Sequence, residues 1–324
     1  RSEIEQFPGG HSNLTYLLRS GEREFVLRRP PFGAQIKSGH DMGREFRVLR
    51  GLAQTGAPAP KPIAHSDDES ILGAPFYVME RVRGVIVRNA KPPAGHSLDS
   101  ETMNALSKAC VDNLIRIHAT DLEQAGFTEL GRPEGYVERQ VRGWTKRYRN
   151  AQTDEVSDMD VVAQWLSENM PPSQAGTLIH NDYKYDNLVL APDDLGRIIA
   201  VLDWEMATLG DPLMDLGTTL GYWVEATDPD AMRQNPFPPT YLPGNLTRME
   251  IVERYENATG RNVDHVVFYY AYALFKIAVI CQQIYKRFKD GHSKDPRFAM
   301  MLFAVAILSQ TASKAIERER IYDL

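Results

Sequence analysis

The sequence predicts an α+β protein in which strands and helices are segregated: a small β-rich part over residues 1–81 that holds one helix, then a larger, mainly helical part over 82–324. Two patterns carry this reading. Before residue 82, short runs rich in aliphatic and aromatic residues lie between Gly and Pro punctuation, as strands and turns do. Beyond residue 100, apolar residues recur at helical spacing, as in Met103, Leu106, Cys110, Leu114 and Ile117. Charge divides along the same line, with 11 basic and 10 acidic residues in 1–81 against 26 and 33 in 82–324.

Strands are expected around 14–18, 24–28 and 75–79. The single helix among them opens at Asp41, a good N-cap, and carries Met42, Phe46, Leu49 and Ala53 on one face, with Glu45 beside that stripe. Further helices are expected over 137–149, 158–169, 248–258, 264–288 and 297–318. One β-like island interrupts them, with strands at 177–180, 188–190 and 198–202 and a polar turn region between the last two. Pro-rich stretches at 91–95 and 235–244 read as loops.

Composition narrows the function. Hydrophobic residues at 43% and charged residues at 25% of 324 describe a folding chain, not a disordered one. A net charge of −6 lacks the positive footprint of a duplex nucleic-acid binder. Cys110 and Cys281 are the only cysteines, too few for a disulfide framework or a cysteine zinc site, which points to a reducing, cytoplasmic setting. The longest apolar runs, 266–275 and 298–308, fall short of the roughly 20 residues a bilayer span needs, so buried helices and no membrane partner are expected.

The strongest chemical signal lies in the island: His180-Asn181-Asp182-Tyr183-Lys184-Tyr185-Asp186-Asn187, followed 16 residues after Asn187 by Asp203-Trp204-Glu205. If strand 188–190 pairs antiparallel with 198–202, Asn187 at the start of one lies beside Asp203 at the end of the other. A carboxylate and an amide oxygen suit Mg²⁺, which keeps waters and takes substrate phosphates as further ligands. A nucleotide phosphate site follows. Asp182 on the same loop is placed to orient or deprotonate an acceptor hydroxyl, and Lys184 to meet the transferred phosphate. Asp186 reads as an ordinary turn residue.

These motifs, together with Gly210-Asp211-Pro212-Leu213-Met214-Asp215-Leu216, resemble the aminoglycoside phosphotransferase and choline kinase-like branch of the protein-kinase-like fold, over nearly the whole chain. The last stretch looks most like kinase-like domains related to those fused to acyl-CoA dehydrogenases. The resemblance implies a bilobal fold, with a nucleotide-binding lobe over 1–81 and a catalytic and acceptor-binding lobe over 82–324. It implies ATP or GTP as donor, Mg²⁺, and a small-molecule hydroxyl acceptor. By it Asp182 is the catalytic-loop aspartate, Asn187 and Asp203 are the metal ligands, and His180 and Asp215 support the loop. Asn181 stands where the family has glycine, which asks for a slightly different backbone there.

In the small lobe, Gly9, Gly10, Ser12 and Asn13 sit where the family's hairpin covers the phosphates. The 25–28 run resembles the V-A-I-K strand with arginine in place of lysine. Val26 and Arg28 share a strand face, so Val26 is assigned to the adenine and Arg28, not Arg29, to the phosphates. Glu45 resembles the helix glutamate that pairs with this cation. Met79 lines the back of the pocket, and the backbone of Glu80 and Val82 resembles the hinge that bonds adenine.

Three functions are weighed: a small-molecule O-phosphotransferase, a nucleotide-binding pseudokinase, and a metal-dependent phosphohydrolase built on His180, Asp182 and Asp203. Nothing after Asp203 resembles the D-F-G to A-P-E activation segment of protein kinases. The acceptor stays open among aminoglycoside, macrolide, choline-like and hydroxyacyl metabolites. The aromatic stripe Tyr269, Tyr270, Tyr272 with Lys276 and Gln282 is read as helix core.

Overall fold

Residues 2–7, 13–31, 41–233, 237–293 and 295–324 are described by a computed structural model. An antiparallel sheet organises the N-terminal part. Its strands are β1 Ser2–Gln6, β2 Leu14–Ser20, β3 Arg23–Arg29, β4 Pro62–Ser66 and β5 Phe76–Glu80, in the order β1-β2-β3-β5-β4. The expected strands are β2, β3 and β5. The two the pattern did not reveal, β1 and β4, are the edges: Ile4 is 72% and Ile63 44% exposed, so neither edge had to carry a buried alternating face.

Helix α1, Met42–Thr55, starts where expected, with the Asp41 carboxylate accepting the Arg44 amide at 2.8 Å. Its buried stripe is Met42, Glu45, Val48, Leu49 and Leu52, and Ala53 faces solvent. The face is therefore rotated toward Glu45 from the one expected, because the sheet and not the most apolar residues sets the contact line. A one-turn helix α2, Glu69–Leu72, also interrupts this part, so α1 is not alone there.

The remainder follows as α3 Ser100–His118, α4 Tyr136–Ala151, α5 Ser157–Glu168, β6 Thr177–Ile179, β7 Leu188–Ala191, β8 Asp194–Val201, β9 Thr208–Gly210, α6 Pro212–Gly221, α7 Asp230–Arg233, α8 Arg248–Thr259, α9 Val266–Lys289 and α10 Met301–Arg318. The expected helices are found within a few residues of their bounds. β7 pairs with β8 antiparallel, Leu188 opposite Val201, as the metal argument required, though the turn between them is shorter than read. β9, which pairs with β6, and helices α6 and α7 were not foreseen. All ten residues of α6 are buried, so it carries no amphipathic period to betray it.

Backbone bonds seat the N-terminal part and the segment that follows it on the β7–β8 hairpin: the Val201 amide donates to the Pro58 carbonyl at 2.8 Å, the Val85 amide donates to the Leu190 carbonyl at 2.9 Å, and the reverse bond is 2.8 Å. Gly84 permits this approach, since a Cβ there would lie 2.4 Å from the Leu190 carbonyl oxygen.

Helix α9 runs through the core against α4, α6 and α10. Counted as helices and not as unbroken apolar runs, α9 with 24 residues and the 23-residue Pro296–Arg318 segment are long and apolar enough to cross a membrane. In α9, 72% of the most apolar window is buried inside the protein, so its apolar surface is spent on the core. Residue Gly217 lets α6 meet α9: a Cβ there would sit 2.5 Å from the Tyr269 carbonyl oxygen. Gly217→Ala should therefore overpack the crossing and cost about 1–3 kcal/mol, read as a lower urea midpoint at unchanged m-value.

Candidate active site

The site forms where the sheet faces the loops after β6 and β8. In register, Val26 lies opposite Met79 and Arg28 opposite Tyr77, so all four side chains share one face of the sheet, and all are buried. Arg29 points the other way, its guanidinium bonding the Leu72 carbonyl at 2.7 Å and the Pro30 carbonyl at 3.1 Å. Arg28, not Arg29, is thus the arginine on the face shared with Val26 and Met79.

Arg28 meets three carboxylates. Its Nη1 is 2.7 Å from Glu45 Oε1 and 2.8 Å from Asp203 Oδ1, and its Nη2 is 3.2 Å from Glu205 Oε2. The expected Arg28–Glu45 pair is present and buried. Burial pushes the Glu45 carboxyl up, with the Arg28 charge working against it. At Asp203 desolvation also favours the neutral acid, but Arg28 overrides it and holds the carboxyl below the usual range. Glu205, which the sequence reading quoted without assigning, also accepts a hydrogen bond from Asn13 Nδ2 at 2.7 Å. Asn13 therefore reaches across the cleft at the position expected to cover phosphates. Gly9, Gly10 and Ser12 lie outside the described residues.

The expected hinge is partly committed. The Glu80 amide donates to the Lys61 carbonyl at 2.9 Å and the Arg81 amide to the Glu24 carbonyl at 3.4 Å. The Glu80 side chain is exposed and Val82 is half-buried.

Across the cleft, the loop after β6 is clamped by a buried carboxylate. Asp215, in the first turn of α6, accepts the His180 amide at 2.7 Å and the Asn181 amide at 2.7 Å, with His118 Nε2 3.1 Å away. The helix N-cap is Asp211, which leaves Asp215 for this bracing role. Burial opposes its ionisation, and the His118 bond and charge, then the His180 amide, more than offset it, so its carboxyl stays low. His180 links the two loops: its Nε2 bonds the Leu202 carbonyl at 2.8 Å while Nδ1 accepts the Asp182 amide at 3.2 Å. Both ring nitrogens are engaged, so His180 has none to offer a metal, which removes the phosphohydrolase reading.

Asn181 has φ 67° and Asp203 φ 64°. Glycine takes this left-handed conformation freely and Asn and Asp are the next most tolerant, so Asn181 is a residue type that can hold this turn.

Asn187 donates through Nδ2 to the Asp182 carbonyl at 2.8 Å and to Asp182 Oδ2 at 3.1 Å, which turns its amide oxygen away from Asp182. Its own carbonyl accepts the Leu202 amide at 2.8 Å, one residue before Asp203. Asp203 keeps 42% of its side chain exposed. One amide oxygen and one carboxylate, side by side at the cleft, are a donor set that fits Mg²⁺. Among the described residues no group of three or more His, Cys, Asp or Glu side chains forms a metal cage.

Lys184 does not reach out of the loop: its Nζ bonds both Asp182 oxygens, at 2.9 and 3.0 Å, and lies 4.3 Å from the centre of the Tyr222 ring. Tyr222, which no sequence motif singles out, supplies that ring. Its signal could not be read locally, because it ends α6, 40 residues from the loop it serves.

The model of the phosphotransferase enzyme family matches residues 3–236. The chain belongs to this family. Mouse acyl-CoA dehydrogenase family member 10 is 36% identical over 299 residues, covering 90% of this chain and 27% of that protein, so the chain spans about a quarter of that relative's length. Among solved structures, a candidate aminoglycoside phosphotransferase of Ralstonia eutropha has a TM-score of 0.80 at 30% identity, covering 97% of this chain and 93% of that one. A ternary complex of the aminoglycoside phosphotransferase APH(4)-Ia with ADP and hygromycin B shares the fold at TM-score 0.62 and 18% identity, covering 98% and 93%. The expected fold, a protein-kinase-like one with an antiparallel N-terminal sheet and a mostly helical remainder, is the one observed.

Two outcomes follow for this phosphotransferase-family site. Arg28→Met, which strands buried Glu45, should destabilise the fold by about 3–5 kcal/mol in chemical denaturation. Asp215 has a folded value below its unfolded one of about 3.9, so it adds stability above that pH and the contribution drains away as pH falls further. Asp215→Asn should lower stability at pH 7 and flatten the acid limb of a stability–pH profile below about pH 4.

Proposed function

We propose that this chain is an active small-molecule O-phosphotransferase, moving the terminal phosphoryl group of ATP or GTP to a hydroxyl. The observation that carries this is the convergence of Asp182, Asn187 and Asp203 on one cleft opposite the Arg28–Glu45 pair. APH(4)-Ia, with the same fold, holds ADP and hygromycin B together, which supports a nucleotide beside a hydroxyl-bearing acceptor. A pseudokinase, which Arg28 in place of lysine would suit, is less well supported, since Asp182, Asn187 and Asp203 are all present.

Residues 1–81 then serve as the nucleotide lobe and 82–324 as the catalytic and acceptor lobe. Val26 and Met79 face the base, the backbone around Val82 bonds it, and Asn13 stands over the phosphates. Asn187 and Asp203 would hold Mg²⁺, which offsets phosphate charge when bound. Asp182 orients the acceptor hydroxyl and takes its proton as the oxygen–phosphorus bond forms and the bond to the leaving nucleoside diphosphate breaks. Arg28 sets the charge and position of Asp203, and Lys184 holds Asp182 in place. Catalysis here is mostly positioning and electrostatics. Two acceptor classes are supported by the solved structures of this fold, aminoglycosides and macrolides, and a choline-like or hydroxyacyl acceptor stays open beside them. No nucleic acid or membrane partner enters this reading, and the free thiols Cys110 and Cys281 suit the cytoplasm.

Thermal-shift titration with ATP and GTP, with and without Mg²⁺, tests the reading directly. Binding at a hundredfold above Kd should add about 2.7 kcal/mol. Asp203→Ala should abolish the Mg²⁺-dependent part, whereas Asp182→Ala should keep it and lose at least about a hundredfold in transfer rate. Transfer by Asp182→Ala at the wild-type rate refutes the base assignment.

A further inference from the structure

We propose that Lys276 is a positioning residue for phosphoryl transfer: from α9 its ammonium holds the Asn181 carbonyl and so fixes the left-handed turn that presents Asp182. This rests on the functional reading above. Lys276 is 2% exposed, and its Nζ donates to the Asn181 carbonyl at 2.7 Å. Every polar atom of Asn181 is held by a different element. Its amide goes to Asp215 of α6 at 2.7 Å, its Oδ1 accepts from the Tyr136 hydroxyl of α4 at 3.0 Å, and its Nδ2 donates to the Met206 carbonyl at 3.0 Å. Lys276 is the cationic member of this set and Asp215 the anionic one.

A buried ammonium is costly, and an apolar residue could fill the same space among the α9 aromatics. The cost is offset by what surrounds the turn. Asp182 and Asp215 attract the ammonium, Lys184 of the loop and Arg147 of α4 repel it, and the Trp144 ring lies 5.9 Å away. Desolvation dominates this balance and brings the Lys276 ammonium down to about 8, so its charge is lost only on the alkaline side of neutrality. Losing it weakens the grip on a peptide group whose left-handed geometry sets where Asp182 points.

The test uses Mg-ATP alone, with water as acceptor, so that no acceptor need be known. Wild type, Lys276→Met and Lys276→Gln are compared by Mg-ATP-induced thermal shift and by ADP release against pH. The proposal expects both variants to keep the thermal shift and a KM for ATP within about twofold, while kcat of the Met variant falls roughly a hundredfold. The wild-type rate should decline as pH passes about 8, a limb the Gln variant, with nothing to titrate there, lacks. Wild-type kcat in Lys276→Met overturns the assignment, as does a parallel loss of kcat and nucleotide binding, which marks general damage. Should Lys276→Met not fold, the Gln variant and the wild-type profile decide: a profile flat across about pH 8 overturns it. A wild type with neither thermal shift nor ADP release overturns the phosphotransfer reading and this assignment with it. A working wild type with unaffected variants overturns this assignment alone.

Discussion

A buried carboxylate accepts two successive backbone amides, and the loop that carries Asp182 is built outward from it. Asp215 takes the amides of His180 and Asn181, which leaves residue 182 facing the cleft, and His180 then carries the constraint across to Leu202 and so to Asp203. Charge-assisted bonds of this kind are strong where water is excluded, and they hold both loops by their backbones. The left-handed conformations of Asn181 and Asp203 persist because the surrounding bonds over-determine them.

A second constraint joins the two sides of the cleft. Arg28 faces Glu45 from its own side and Asp203 and Glu205 from the other, and Asn13 adds a neutral bond to the same Glu205. The planar guanidinium can serve several oxygens at once, where an ammonium acts as a single point charge. That multiplicity gives a physical reason for arginine in place of the family's lysine: it bridges the cleft as well as pairing with the helix glutamate.

Much of this was legible in the chain. The loop spacing between His180 and Asn187 and the distance to Asp203 foretold the antiparallel hairpin that sets Asn187 and Asp203 side by side, because strand pairing is a local consequence of a short turn. The face of a strand alternates with fixed period, so the choice of Arg28 over Arg29 needed no tertiary information. Edge strands β1 and β4 and fully buried α6 escaped, since none of them writes an amphipathic pattern, and the α1 stripe was rotated because the sheet sets its contact line.

The sequence by itself determined the segregated α+β plan, the reactive residue types and their local spacing, all of which depend on neighbours within about 20 positions along the chain. Beyond the expected Arg28–Glu45 pair, the tertiary structure decided where the polar and charged groups meet. Lys184 turns back to Asp182, Glu205 crosses to Arg28 and Asn13, Tyr222 comes to the loop from the end of α6, and Lys276 leaves the core stripe of α9 to bond Asn181. Most of these contacts join residues far apart in sequence, and each was selected by burial: a charged or polar group excluded from water must bond whatever the fold brings within 3 Å or so.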